Sequence, residues 1–340
     1  MPFILDIFNN DAFSVTELTD RINRIPEQPG RLGQLGIFQA QPVRTTSVAV
    51  EDRNGKLVLV PTTPRGGVGN QWSPNKRNMR NLNVPHIELN DTIPAEEVQN
   101  VRSFGSADAL QGVQEVVDER MGEMSASLDV TLEYHRMGAV KGIIMDADGV
   151  TPIYNLFTEF NFVQTAEDFL LGTANEEIIL HCHVVNRAAT AALGGTPYNY
   201  LHALCGSTFF DKLITADTVK DAYRYFQATN QTIQPLREDL RAGFRYGNIL
   251  FEEYAPTVSG VPFVATADAA AFPVGAPGLF KTYYAPGDFI EAVNTNGLPK
   301  YAKVIPDPSG LDKHVGVHVQ TNPLCVCLRP EALIRFTTST

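Results

Sequence analysis

The 340-residue chain reads as an α+β protein, and three observations carry that reading. One apolar stripe of helical period runs between residues 107 and 137. Two β-type runs, VRTTSVAVED and KLVLVP, flank Asn54-Gly55, a strong hairpin signal. Three short strand patterns, HVGVHVQ, PLCVCLR and ALIRF, follow one another near the C-terminus. A hydrophobic share of 44% and a charged share of 19% suit a folded globular chain. The net charge of −11 argues against a protein built mainly to grip nucleic acid. No run of 18 apolar residues is present to cross a membrane as a helix. The start, MPFILDIFNND, lacks a basic n-region, so no secretory signal is expected. Four cysteines make no disulfide framework, and reduced thiols in a cytosolic product are the simpler expectation.

The first 40 residues read as an arm. Ser14 and Glu17 form a capping box that predicts a helix over about 15–24, ended by Pro26 and Pro29-Gly30. The hairpin at Asn54-Gly55 and the returning segment MRNLNVPHIEL predict one long two-stranded excursion over 43–90. A lone hairpin is marginal in water, so it must lie on something else. Next comes the longest helix, with Ser106 as N-cap and Val113, Val117, Met121, Met124, Leu128 and Leu132 on one stripe. At about 1.5 Å per residue it spans about 46 Å, with an acidic opposite face.

KGIIMDADGVTPIYNLFTEFNF predicts a hairpin turning near Asp148-Gly149. A helical block beginning near Asn175-Glu176-Glu177 ends at Gly194-Gly195. Thr196-Pro197 is expected to open a helix through Leu204, and another helix is expected over 217–228. FRYGNILFEEY and VPFVATA are expected strands, and 255–287 is expected to be mostly loop.

The search for chemistry turns on His181-Cys182-His183 and Cys325-Val326-Cys327. Ile178, Cys182, Val185, Ala189 and Leu193 keep helical spacing, which puts the thiol on the buried stripe and turns the two histidines apart. Cys325 and Cys327 share a strand face in a segment apolar on both sides, which reads as packing. Gly66-Gly67-Val68-Gly69 is not followed by a helix pattern, so the anion-binding helix end of a phosphate loop is missing. Walker, nucleophile-elbow and dinucleotide motifs are absent. No catalytic residue, cofactor site or metal site is expected, and a zinc-dependent enzyme is the outlying alternative.

What remains is charge. The stretch PTTPRGGVGNQWSPNKRNMRN carries Arg65, Lys76, Arg77 and Arg80, no acid, and the chain's one tryptophan, Trp72. Residues 88–133 carry eleven acids against Arg102 and Arg120. Those on the long helix are Glu115, Asp118, Glu119, Glu123, Asp129 and Glu133, read as a solvated or partner-facing surface. A basic loop and an acidic helix suit each other across a contact between copies, which would be heterologous.

The order of arm, long hairpin loop, spine helix, hairpin, mixed body and paired C-terminal strands resembles the major capsid proteins of tailed bacteriophages. LVLVPTTPRGGVGNQWSPNKRNMRNLNV resembles the extended loop of the lambda-like major capsid protein E family. RYGNILFEEY, GLFKTYYAPGDFIEAVNTNGLPKYAKVIPDP and LCVCLRPEALIRF resemble its closing strands. The resemblance implies a Hong Kong 97-type capsid fold with an N-terminal arm at 1–40 and an extended loop at 41–92. It implies a peripheral domain at 93–172 plus about 285–330, with the spine helix at 107–137. The axial domain would be 173–284 plus 331–340. It implies hexamers and pentamers of the chain in an icosahedral virion shell, assembled in the host cytoplasm around double-stranded DNA, without membrane. Portal, scaffold and decoration proteins would be its partners. Inter-subunit contacts would use Arg65, Trp72, Lys76, Arg77 and Arg80 of the loop, and Glu115, Asp118, Glu119 and Glu123 of the helix. Some relatives crosslink a loop lysine to an asparagine, and Lys76 lies in that loop, but nothing places a catalytic acid beside it. An encapsulin-type compartment, which shares the fold and holds protein cargo, is the nearer alternative.

Overall fold

The computed structural model describes residues 15–25, 30–53, 77–98, 113–173, 176–222, 243–258, 260–307, 309, 311 and 313–339. Its contacts divide the chain into two units. The first comprises Met1–Ala49, Asn81–Tyr134 and Lys281–Cys325; the second comprises Val50–Arg80, His135–Phe280 and Val326–Thr340.

In the first unit, helix α1 (Val15–Arg24) has Glu17 in its first turn and Arg21 and Arg24 in its last, which complements the helix dipole. Its Leu18 and Ile22 are fully buried. After it come the short α2 (Arg31–Leu35), β1 (Phe38–Pro42), the ribbon β2 (Ser47–Arg53) and β3 (Arg77–Asn83), then β4 (Ile87–Pro94) and α3 (Ala95–Val98). The spine helix α4 (Val113–Lys141) follows and buries Val117, Met121, Met124, Leu128 and Leu132. That stripe packs with α1 and with the inner face of the three-stranded antiparallel sheet β15-β16-β4, where β15 is Tyr301–Pro306 and β16 is His314–Thr321. Period-2 alternation turns Ile87, Leu89 and Ile93 inward and leaves Glu88, Asn90 and Thr92 exposed.

The second unit begins with the hairpin β5 (Ile143–Met145) and β6 (Pro152–Asn155), followed by α5 (Leu156–Phe160) and β7 (Thr165–Asp168). Then come α6 (Ile178–Ala192), β8 (Tyr200–Cys205), α7 (Ser207–Thr215), β9 (Phe244–Tyr246) and β10 (Ile249–Glu253). The ribbon β11 (Thr257–Val258) and β12 (Val261–Pro262), β13 (Ala269–Val274) and β18 (Ile334–Thr337) follow, while β14 (Phe280–Tyr284) and β17 (Pro323–Cys327) fall mainly within the first unit's residues. A six-stranded mixed sheet, β7-β18-β13-β8-β10-β9, has parallel pairs at β7–β18 and β8–β10. Its core gathers Phe169, Phe209, Phe251 and Phe336 with Cys182, Val185 and Ala189 of α6. A second three-stranded sheet runs β1-β14-β17.

Helix α1, the 146–149 turn, helix α6 and the last three strands fall where the sequence places them. Several segments do not. Residues 200–205 form the strand β8 rather than a helix. YLHALC is rich in helix formers, but Pro197 and Gly206 bound it tightly and β10 and β13 pair with it on both sides. Helix α7 was not anticipated, and of the expected helix at 217–228 only 217–222 is described, as helix. The 255–287 stretch, though more loop than strand, also holds β13 and β14, and VPFVATA contributes only Val261–Pro262 to a strand. Pro273 is tolerated in β13 because it lies beyond Ala271, the last residue paired with β18. β4 leaves the predicted excursion to pair with β16, so the ribbon is β2 with β3. The spine helix runs on to Lys141, and its expected start at 107–112, with Ser106, lies outside the described residues. The capping Ser14 and the Asn54-Gly55 turn lie outside them too.

Candidate assembly surfaces

Of the loop residues, Arg65, Trp72 and Lys76 lie outside the described residues, and Arg77 is described only as backbone at the start of β3. Arg80 is placed: its guanidinium sits 5.7 Å from the centroid of the Phe160 ring, a cation–π contact.

The helix acids fall into two groups. Glu115, Asp118, Glu119 and Glu123 lie toward the N-terminal end of α4, where Glu115, Glu119 and Glu123 are exposed. Asp118 accepts from Arg21 of α1 at 2.5 Å. Arg120 lies 3.5 Å from Glu123, 3.4 Å from Asp91 and within hydrogen-bond reach of Glu97. The hydrogen bond to Glu97, with the surrounding carboxylates, raises the Arg120 pKa further. The acidic surface therefore carries two arginines of its own.

Asp129 and Glu133 correct the sequence reading, which put them on a solvated face. Both are buried. Lys300 Nζ lies 2.6 Å from Asp129 and donates to Ser125 Oγ at 2.7 Å. Glu133 accepts from the backbone N–H of Leu32 at 2.6 Å and of Gly33 at 3.2 Å. Gly30 makes room for this: a Cβ there would fall 2.2 Å from Glu133 Cδ. Each carboxylate meets a cation or backbone donors, as burial of charge requires. Sequence periodicity could not show this, because the partners lie about a hundred residues or more away along the chain.

His181 and His183 sit on α6 and do not converge. His181 Nδ1 lies 2.7 Å from Glu167 and its Nε2 3.1 Å from Glu176, whereas His183 is exposed. Burial pushes the His181 pKa down, but its hydrogen bonds to the two glutamates outweigh that and hold it above the ordinary value. Cys182 is fully buried and its thiol is pushed up to about 12 by desolvation; Cys327 is likewise held at about 12. Among the described residues, no group of three or more His, Cys, Asp or Glu side chains could hold a metal ion. Sequence reasoning missed His202, which is buried on β8, 3.0 Å from Glu252 and stacked on Phe272. Nothing in its local pattern marks it.

The chain matches the phage major capsid protein E family over residues 14–338. It belongs to that family. The major capsid protein of Pseudomonas phage KPP10 is 28% identical, with 95% of this chain and 96% of that one covered. That of Salmonella phage Felix O1 is 25% identical over 95% of each. A capsid-type prophage protein of E. coli CFT073 superposes with a TM-score of 0.58 at 12% identity, covering 96% of this chain and 99% of that one. The capsid of cyanophage Pam1 gives 0.50 at 12% identity, covering 88% of each. The α+β architecture is the Hong Kong 97-type capsid fold. The chain is a capsid-forming, self-associating structural protein rather than an enzyme. No helix among the described residues is long and apolar enough to cross a membrane.

Proposed function

We propose that the chain is the principal wall subunit of a tailed-phage head, closing as hexamers and pentamers into an icosahedral shell around double-stranded DNA. The observation that carries this reading is the family match across residues 14–338, nearly the whole chain. The net charge of −11 suits an envelope that must later release its DNA. The arm, extended loop, peripheral and axial domains take the boundaries given above. Portal, scaffold and decoration proteins are the further partners, assembly takes place in the host cytoplasm, and the virion is the final location.

The loop contact is part of this proposal. Arg65, Trp72, Lys76, Arg77 and Arg80 meet the acidic end of a neighbour's spine helix. Intrachain pairing sharpens the acceptor. Asp118 and Glu123 each already face an arginine, so the exposed Glu119 is the stronger landing point. Expression and electron microscopy test the reading: shells, tubes or sheets of capsomers are expected, and a stable monomer at high concentration with scaffold supplied overturns it. Replacing Arg65, Lys76, Arg77 and Arg80 together by Gln should impair assembly and leave the subunit folded. Exposed pairs contribute about 0.2–1 kcal/mol each, so single replacements fall near silence. Assembly of the quadruple variant equal to wild type at every salt concentration would remove the loop's charge from the account.

A further inference from the structure

Helix α6 has two opposed stripes. Ile178, Cys182, Val185 and Ala189 are buried against the six-stranded sheet. On the opposite side, at the same helical spacing, lie Leu180, His183, Val184, Arg187 and Ala191, all exposed. Leu180 is 59% and Val184 47% exposed, two large apolar side chains one turn apart. Beside them a shallow groove of about 390 Å³ is lined by His183, Asn186, Arg187, Thr190 and Ala191. An apolar ridge flanked by Arg187 and a histidine is an unusual thing for a helix to leave in water.

The same unit holds a counterpart elsewhere. The 146–151 turn presents Val150 at 78% exposure, between Asp148 and Thr151 and close after Asp146. The turn is stiff. Asp148 accepts from the Thr151 hydroxyl at 2.6 Å and from the N–H groups of Val150 and Thr151 at 2.8 Å, and Gly149 holds a left-handed φ of 70°. A Cβ on Gly149 would strike Val261 Cγ1 at 2.7 Å, so the turn leans on the β11–β12 ribbon. Val258 of that ribbon is itself 41% exposed. An apolar tip is thus held rigidly just after two carboxylates, Asp146 and Asp148.

We propose that the Val150 turn of one copy docks on the Leu180–Val184 ridge and Arg187 groove of the next, a heterologous contact repeated around a closed ring. Apolar tip meets apolar ridge, and Asp146 and Asp148 meet Arg187, so polarity and charge agree. Because the two patches are different parts of one surface, the contact propagates in one sense and closes only by rotation. A preformed turn needs little ordering on binding, which favours the association. The contact rests on the capsomer reading above and supplies a bond within it.

Crosslinking distinguishes the two. Val150→Cys combined with Val184→Cys places thiols on both patches, while the native Cys182, Cys205, Cys325 and Cys327 are buried. Assembled particles treated with a short bismaleimide should yield a ladder from dimer to a closed ring on denaturing gels, and neither single variant should. Particles that form but give only monomers, or stop at dimers, overturn the contact and leave the shell reading standing. Wild-type protein that forms no particles removes the shell reading first. Independently, Arg187→Glu should lower particle yield at low salt at least tenfold, and adding Asp146→Arg should restore most of it. A double variant no better than Arg187→Glu alone also overturns the contact.

Discussion

The two units bury their interiors by different chemistry, although the six-stranded sheet also carries the buried His202–Glu252 pair beside its rings. The six-stranded sheet closes over aromatic rings: Phe169 lies 4.6 Å from Phe336, 5.8 Å from Phe209 and 6.2 Å from Phe251 by ring centroids. The spine-helix unit has aliphatic side chains on its stripe and, near them, buried charge in the Lys300–Asp129 pair and in Glu133 beneath α2. Dispersion and area favour the aromatic core without naming one register. Buried ions, by contrast, tolerate only the arrangement that pairs them. The charged groups sit where segments far apart in sequence converge: the arm at 30–33, the helix at 125–133, and residue 300. What separates the cores is how they are specified as much as how much each contributes.

Mutation can break that comparison at several strengths. Phe169→Ala should be the most damaging, at about 4 kcal/mol, since it opens a cavity among three other rings. Urea unfolding followed by the loss of the tertiary signal measures it. Lys300→Met should cost about 3 kcal/mol by leaving Asp129 without its cation, whereas Lys300→Met with Asp129→Leu should recover much of the loss. If the double variant is as unstable as the single, the pair contributes more than mutual compensation. Gly30→Ala should cost about 2 kcal/mol, because the new methyl displaces Glu133 from the Leu32 and Gly33 N–H groups. Faster amide exchange confined to 31–35 is the expected signature.

The smallest effect is a pH dependence in the aromatic unit. His181 bonds Glu167 of β7 and Glu176 ahead of α6, with Asp168 also near, and its folded pKa is raised. A raised folded value means this stabilisation is complete below the ordinary histidine pKa of about 6.5 and is lost as pH rises through the folded value. Wild type should therefore lose a little stability between neutral and mildly alkaline pH, and His181→Gln should lose that slope. An unchanged slope in the variant would assign the dependence to another group.

Elements whose signal is local were legible in the sequence. Glu17, Arg21 and the Leu18/Ile22 stripe define α1, and Asp148-Gly149 defines the turn. Val117 to Leu132 define the buried face of the spine. Elements specified by neighbours were not. β8 and β13 consist largely of Leu and Ala, residues without β preference, and are strands because both flanks are paired. The same holds for the surfaces. The charges of loop and helix are visible in composition, but which acids are already satisfied depends on Arg21, Arg120, Lys300 and the 30–33 backbone. The α6 ridge leaves no mark in the sequence because Leu180 and Val184 are apolar residues among the buried positions of the same helix.

The placement of β16 and β18 also bears on synthesis. β18 lies between β7 and β13, and β16 lies between β15 and β4, so strands from the last part of the described chain fill internal places in both sheets. A ribosome making this protein must deliver residues 314–337 before either sheet loses its open interior edges. Until then β4, β7 and β13 present unpaired backbone to whatever is near. Subunit folding is thereby tied to the late stage of translation, and a half-made chain has no finished surface with which to join a growing wall.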